Sequence, residues 1–548
     1  RKRGTFPDPA RRVMINEAVC EGCGDCSVQS NCLSVVPVET EYGRKRAIDQ
    51  SSCNKDYSCL NGFCPSFVTV EGGGLRAPEP TTVDAGAFDD SKLTEPALPD
   101  LDEPFGILVT GIGGTGVVTI GALLGTAAHI EGRGVSVLDM AGLAQKGGAV
   151  VSHIRIGRTP EDIHAVRIAA GSADTLIGCD LMVAASPDVM AKLAPGRSRA
   201  VLNSHETITG DFTRNPDMSF MGHEMAEILR VAVGDDQARF VEASRLATTL
   251  LGDSIATNLF MLGFAWQQGM VPLSSEALMH AIELNGVAVD FNKDAFLWGR
   301  RAAVDAEAVA RIAEPAVPLR LREHETATSL EDIVAQRIRY LTAYQDEAYA
   351  RRYKDMVVRV QRAEAERARD TSGLAETVAR YYFKLLAYKD EYEVARLYTD
   401  GAFLKAVRDQ FEGDYALKFH LAPPLVAKRD PATGHLQKRA FGPWLLKAFG
   451  LLAGLKRLRG TPFDIFGYTE ERKQERQLIA DYEAVIAELL AGLSADNHAL
   501  AVAIAAVPEH IRGFGHIKLS HIEKAKTEEA ALLRAFRDPG APKAMAAQ

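Results

Sequence analysis

The chain has 548 residues, more than one hydrophobic core usually organises, so two or more domains are expected. Its composition, 47% apolar and 25% charged, is that of a soluble globular protein, and a net charge of −9 argues against nucleic acid as the main partner. No run of about 18 apolar residues occurs, which argues against a helical membrane span. The basic start, Arg1 to Arg12, lacks the apolar stretch of a secretory signal and reads as a solvated connector. A first residue of Arg rather than Met points to a longer polypeptide.

Seven of the eight cysteines lie between Cys20 and Cys64, and the eighth, Cys179, sits in an apolar context as a buried thiol. The rest of the chain is almost free of cysteine. That distribution points to a reducing, cytoplasmic setting and a metal site rather than a secreted disulfide domain. The first motif is Cys20-x2-Cys23-x2-Cys26-x5-Cys32. Thiolates at the first three positions can hold three irons of one cubane, and a remote cysteine followed by proline closes it. Cys64-Pro65 has that form. Because such motifs exchange their fourth cysteines, Cys20, Cys23, Cys26 and Cys64 form one expected [4Fe–4S] site. The second motif places Asp56 where a middle cysteine would stand, so the second expected site is Cys32, Cys53, Asp56 and Cys59. A carboxylate is a harder and more weakly held iron ligand, which leaves open a [3Fe–4S] cluster or an unusual potential. A single-cluster protein with three leftover thiols is the alternative. A zinc site fits this spacing less well.

Residues 71–104, rich in Gly, Pro and acid, read as a linker. From Phe105 to about Ala303 the pattern is α/β, with GILVT, VSVLD, VSHIRI, DLMVAA and RAVLN as strand candidates. The first of these runs into Gly111-x-Gly113-Gly114-x-Gly116 and then a helix, whose N-terminus could face an anion. Asp139 stands where a ribose-binding acid would, so a tight turn without ligand and a dinucleotide fingerprint both remain open. Gln145 and Lys146 precede Gly147 and Gly148, where the backbone can turn sharply, and His153 reads as a packed strand residue. Beyond Pro315 the chain is mostly helical and densely charged, broken near 411–443 by a strand-and-loop insert. His510, His516 and His521 lack the spacing of a metal site, and Trp266, Trp298 and Trp444 read as core.

The stretch GILVTGIGGTGVVTIGALL through MAGLAQKGGAVVSHIRIG to ATNLFMLGFAWQQGMVP resembles the gamma domain of the 2-oxoacid:ferredoxin oxidoreductases. CEGCGDC…NC…SCNKDYSCLNGFCPSF resembles the ferredoxin-like part of the indolepyruvate:ferredoxin branch, and the helical tail is similar to the C-terminal extension of its large fused bacterial members. The fold class expected is therefore multidomain α/β. It comprises a ferredoxin-like iron–sulfur domain (12–70), the linker, a Rossmann-like gamma domain (105–303) and a mostly helical C-terminal extension (315–548).

The resemblance implies a thiamine-diphosphate enzyme that oxidatively decarboxylates an aryl-2-oxoacid, transfers the acyl group to coenzyme A and reduces ferredoxin. It carries over Gly113, Gly114, Gly116, Gln145, Lys146 and Gly147 as positions near the coenzyme A and substrate region. No thiamine-binding GDG motif occurs here, so thiamine diphosphate and Mg2+ would lie on a further portion of the polypeptide or on a partner chain, and no catalytic residue is assigned. A homo-oligomer is expected, with no nucleic acid or membrane partner. An iron–sulfur protein with a true NAD(P)-binding Rossmann domain is the rival reading, and a non-enzymatic scaffold a weaker third.

Overall fold

A computed structural model describes residues 9–50, 52–76, 88–142, 148–205, 210–215, 217–218, 221–313, 329–423, 427–431 and 434–538. The chain divides into two compact units, Arg1–Arg76 with Leu321–Gln548, and Ala77–Arg320. In chain order the strands are β1 (Arg11–Ile15), β2 (Val35–Val38), β3 (Lys45–Ile48), β4 (Phe67–Leu75) and β5 (Phe105–Ile112). They continue with β6 (Gly134–Ala141), β7 (Ala149–Gly157), β8 (Thr175–Gly178), β9 (Arg199–Asn203), β10 (Ala238–Val241), β11 (Phe411–Leu421) and β12 (Arg439–Phe441).

In the first unit β1 pairs antiparallel with β4, bringing Val13 opposite Thr69 and Ile15 opposite Phe67. Strands β2 and β3 form a separate hairpin. The other edge of β4 takes β11, and β11 takes β12, giving the order β1-β4-β11-β12. Successive side chains of a strand point to opposite faces. Accordingly Val13, Ile15 and Phe67 pack with Cys20, Cys26 and Cys59, whereas Met14, Val68 and Val70 pack with Tyr398, Phe403, Phe419 and Phe449. Being covered on both faces, β4 has four consecutive buried residues from Phe67 to Val70. It runs on through Leu75, so 71–75 is strand rather than the linker expected from composition.

The C-terminal stretch is mostly helical from Leu330 to Arg537. Its first two helices begin at side-chain caps: Ser329 accepts from the Asp332 N–H and Asp346 from the Tyr349 N–H. Tyr353, Tyr382 and Tyr482 stack at centroid spacings of 6.2 and 6.0 Å inside a core built on Ile333, Leu341 and Ile486. Trp444 departs from the expectation of a core residue and is 61% exposed. The helix Leu445–Gly454 is apolar apart from Lys447, and it buries Leu445 and Phe449 while Leu451, and Trp444 just before it, stay outside.

The second unit holds a mixed sheet in the order β10-β9-β8-β5-β7-β6. Strands β5, β8, β9 and β10 run parallel, and β7 runs antiparallel between β5 and β6. DLMVAA, expected as a strand, is the short helix Leu181–Ala184, because Asp180 caps it by accepting from the Val183 N–H at 2.8 Å; the strand is the preceding β8. Trp266 and Trp298 lie in this unit's core. Among the described residues no helix is long and apolar enough to cross a membrane.

Candidate functional site

The loop from Cys20 to Cys26 follows β1 and enters the helix Asp25–Ser30. Gly22 and Gly24 both adopt left-handed backbone, φ +69° and +78°, and a Cβ on Gly22 would fall on the Arg44 carbonyl. This turn folds the three cysteines to one side. Cys64, from the segment that leads into β4, comes to the same place: Cys20, Cys23, Cys26 and Cys64 line one cavity with Ile15, Arg46, Phe63 and Phe514. The Gly22 N–H points at Cys20 Sγ at 3.3 Å and the Ser66 N–H at Cys64 Sγ at 3.4 Å. Burial, followed by the neighbouring Cys20, Cys23 and Cys64, pushes the Cys26 thiol well above its usual range. Burial and Cys20 push Cys64 up to about 11. Four thiols crowded in an apolar cavity resist ionising by themselves, and a cationic group among them is what would let them do so.

The second loop repeats the first. Lys55 and Tyr57 lie at the same offsets from Cys53 as Gly22 and Gly24 do from Cys20, and both are left-handed, φ +61° and +63°. Neither is glycine, so this conformation carries a cost of about 1–3 kcal/mol per residue and is held by its surroundings. Asp56 occupies the place of Cys23. Its carboxylate is exposed and accepts from the Ser58 N–H at 3.1 Å and the Ser58 hydroxyl at 2.9 Å. Cys59 is pushed up to about 12 by burial first and then by the charges of Cys32, Cys53 and Asp56, which stand near it. None of the eight cysteines is in a disulfide. Among the described residues no three His, Cys, Asp or Glu side chains are close enough to hold a single metal ion. A cubane asks for something else, since each thiolate binds its own iron.

Several charged side chains around the first loop carry no sequence signal. Arg46 is fully buried, and Glu21, between Cys20 and Cys23, is salt-bridged to the buried Lys389. Burial opposes charge on Glu21, but Lys389, Lys45, Lys518 and Lys384 bring its carboxyl down to about 2. Lys438 donates to the Gly62 carbonyl. These contacts join positions hundreds of residues apart, which no local spacing reveals.

In the second unit the glycine loop links β5 to the helix Val117–Ile130. Gly114 and Gly116 are left-handed, φ +107° and +82°, and a Cβ on Gly116 would collide with the Asn258 carboxamide. The Gly113 N–H donates to the Gly148 carbonyl at 2.8 Å, so the two glycine segments meet. Gln145, Lys146 and Gly147 lie outside the described residues. Asp180, buried at the end of β8, was not signalled by the sequence; burial raises its carboxyl although the backbone N–H groups of Val183, Ile112 and Met182 oppose this. Asp139 is exposed, and β7 separates its strand from β5. In a dinucleotide fold those two strands are neighbours. His153 is buried and its Nδ1 accepts from the Ile168 N–H at 3.3 Å. The three late histidines do not converge: His516 stacks on His435, His521 bonds the Arg512 carbonyl and His510 faces Glu528.

Residues 106–302 match the family described as pyruvate ferredoxin/flavodoxin oxidoreductase. Residues 330–531 match a family of unknown function, DUF6537. The indolepyruvate oxidoreductase subunit IorB of Pyrococcus horikoshii is 29% identical over 207 residues, which cover 36% of this chain and 96% of that protein. The subunit of the same name from Archaeoglobus fulgidus is 27% identical over 204 residues, covering 36% and 94%. Pyruvate oxidoreductase subunit PORC of Thermotoga maritima, a solved structure, is 21% identical with a TM-score of 0.27, covering 36% of this chain and 96% of that one. The gamma subunit of a keto/oxoacid ferredoxin oxidoreductase from Geobacter sulfurreducens is also 21% identical, with a TM-score of 0.26 and coverage of 36% and 98%. The sequence matches across 106–302 make this segment similar to the pyruvate ferredoxin/flavodoxin oxidoreductase family and to indolepyruvate oxidoreductase subunits.

Proposed function

We propose that this chain is the electron-transfer and gamma portion of a thiamine-diphosphate-dependent oxidoreductase. The enzyme oxidatively decarboxylates indolepyruvate or a similar aryl-2-oxoacid to the acyl-CoA and reduces ferredoxin. The observation that carries this reading is the convergence of Cys20, Cys23, Cys26 and Cys64 on one cavity, in a chain whose 106–302 segment is similar to indolepyruvate oxidoreductase subunits. The donor set suits an iron–sulfur cubane: four thiols set among Ile15, Phe63 and Phe514, with a buried guanidinium beside them. Cys32, Cys53, Asp56 and Cys59 would hold a second cluster, a reading supported by the repeated left-handed backbone of its loop. Such clusters accept and pass single electrons.

This chain's residues bind and shield them. Cys20, Cys23, Cys26 and Cys64 supply thiolates, and Phe514 and Ile15 wall the cavity against water. Gly113, Gly114 and Gly116, with Gln145, Lys146 and Gly147, are assigned to the coenzyme A and substrate region. Thiamine diphosphate and Mg2+ belong to domains on the same longer polypeptide or on a partner chain, in a cytoplasmic homo-oligomer. The position of β7 between β5 and β6 weighs against the NAD(P) alternative.

The test is anaerobic reconstitution of the full chain with iron and sulfide, followed by mixing with thiamine-binding domains of a 2-oxoacid oxidoreductase. Visible bleaching of the clusters is expected only when indolepyruvate, coenzyme A and thiamine diphosphate are all present. Bleaching by NADH in their absence would overturn the reading.

A further inference from the structure

The region matched by the family of unknown function belongs to the same unit as the cysteine loops and reaches their cavity from several places. Lys438, just before β12, is half-buried, donates to the carbonyl of Gly62, two residues ahead of Cys64, and lies 4.8 Å from the Phe67 ring centroid. Lys389 is buried against Glu21 and the Cys20 carbonyl. Phe514 forms part of the cavity wall. From the N-terminal segment, Arg46 lines the same cavity with no exposure, and Lys45 is buried as well. The carboxylates facing this group are Glu21 and Asp25, both on the cavity lining. Lys384 and Lys518 also face Glu21, and Glu475 answers Lys518, so cations outnumber carboxylates here, which is costly unless an anion accompanies them. A cluster held by four thiolates is such an anion. The other set, by contrast, brings a carboxylate of its own, Asp56.

We propose that the C-terminal region sets the reduction potential of the Cys20, Cys23, Cys26 and Cys64 site, its Lys438 and Lys389 joining Arg46 in fixing positive charge there so that a cluster at this site is the easier of the two to reduce. The proposal rests on the iron–sulfur reading above. Its physical basis is that an added electron deepens the negative charge of the cluster, so a fixed nearby cation stabilises the reduced form more than the oxidised one. Exclusion of water by Phe514 strengthens that difference, and charge and exposure are among the factors that set cluster potentials. Lys438 and Lys389 are thus positioning residues.

The experiment is an EPR-monitored dithionite titration of the full, anaerobically reconstituted chain, with iron content measured on each sample. Lys438→Gln should make one cluster about tenfold harder to reduce, a fall of about 59 mV for a one-electron couple, and shift the other, whose Cys59 also feels Lys438, by less. Lys438→Arg should titrate close to the unsubstituted chain. Full iron with both midpoints unchanged in Lys438→Gln overturns the proposal. Cys53→Ala, which leaves the second site too few thiolates, gives a second reading with the lysines intact: the cluster that remains should be the one of higher potential, and survival of the lower one also overturns it. Absence of iron and sulfide in the unsubstituted chain would instead sink the iron–sulfur reading itself.

Discussion

Gly116 and Gly114 illustrate how two neighbouring residues of one type differ in what they bear. Both are left-handed, but only at Gly116 would a Cβ strike another side chain, Asn258. Gly116→Ala should destabilise the second unit by about 2–4 kcal/mol, from backbone strain plus overpacking. Gly114→Ala should cost about 1–2 kcal/mol, from strain alone. Urea denaturation followed through the buried Trp266 and Trp298 reads this unit. His153 adds a pH dependence. Burial, and then Arg167 and Lys192, lower its imidazole to about 4, whereas an unfolded histidine protonates near its ordinary value of about 6.5. The unfolded chain therefore binds the extra proton first. The contribution of His153 to stability is complete above pH 6.5, declines as the pH falls towards about 4 and then levels off. Denaturation midpoints across that window should fall less steeply in His153→Asn, whose amide oxygen can still accept from Ile168.

Among the elements, the second cysteine loop is the most informative. The spacing of its cysteines was legible in the sequence because metal ligands on one turn are a local pattern. The left-handed backbone at Lys55 and Tyr57 was not, since neither residue type announces it. If Asp56 stands in a ligand position, Asp56→Cys should alter the iron count or the EPR signal of one cluster; an unchanged count and spectrum would count against it. Helix packing gives a second prediction at this scale. Gly263 in the helix Thr257–Gln267 and Gly299 in the helix Val289–Val304 each let the backbones approach so closely that a Cβ would fall on the Phe296 or the Phe260 carbonyl. Gly299→Ala should destabilise the unit by about 3 kcal/mol, read by the same fluorescence denaturation. Neither glycine stands out in the sequence, because close approach depends on the partner helix. DLMVAA was misread for a related reason: its apolar run suits a buried strand as well as a buried helix, and the Asp180 cap decides between them.

At the scale of the molecule, the order of regions was legible but their grouping was not. Composition separates 12–70 from 315–548, yet the two make one unit, because β11 pairs along β4 from Phe419 opposite Val68 to Phe411 opposite Leu75. Strand pairing over more than 300 residues leaves no local trace. A chain ending before Leu321 would uncover that edge of β4 and the apolar residues around Val68 and Val70, so it should retain less iron after reconstitution and be cleaved faster by protease than the full chain. The contacts of Lys438 and Lys389 with the cysteine loops leave no local trace for the same reason as the pairing of β11 with β4. Iron and sulfide analysis with EPR of the dithionite-reduced full chain decides whether the cysteine loops hold iron–sulfur clusters. Two clusters give roughly seven or eight irons and about eight sulfides per chain, with one cluster signal lost in Cys64→Ser. Zinc in place of iron, or iron without sulfide, would contradict the iron–sulfur reading.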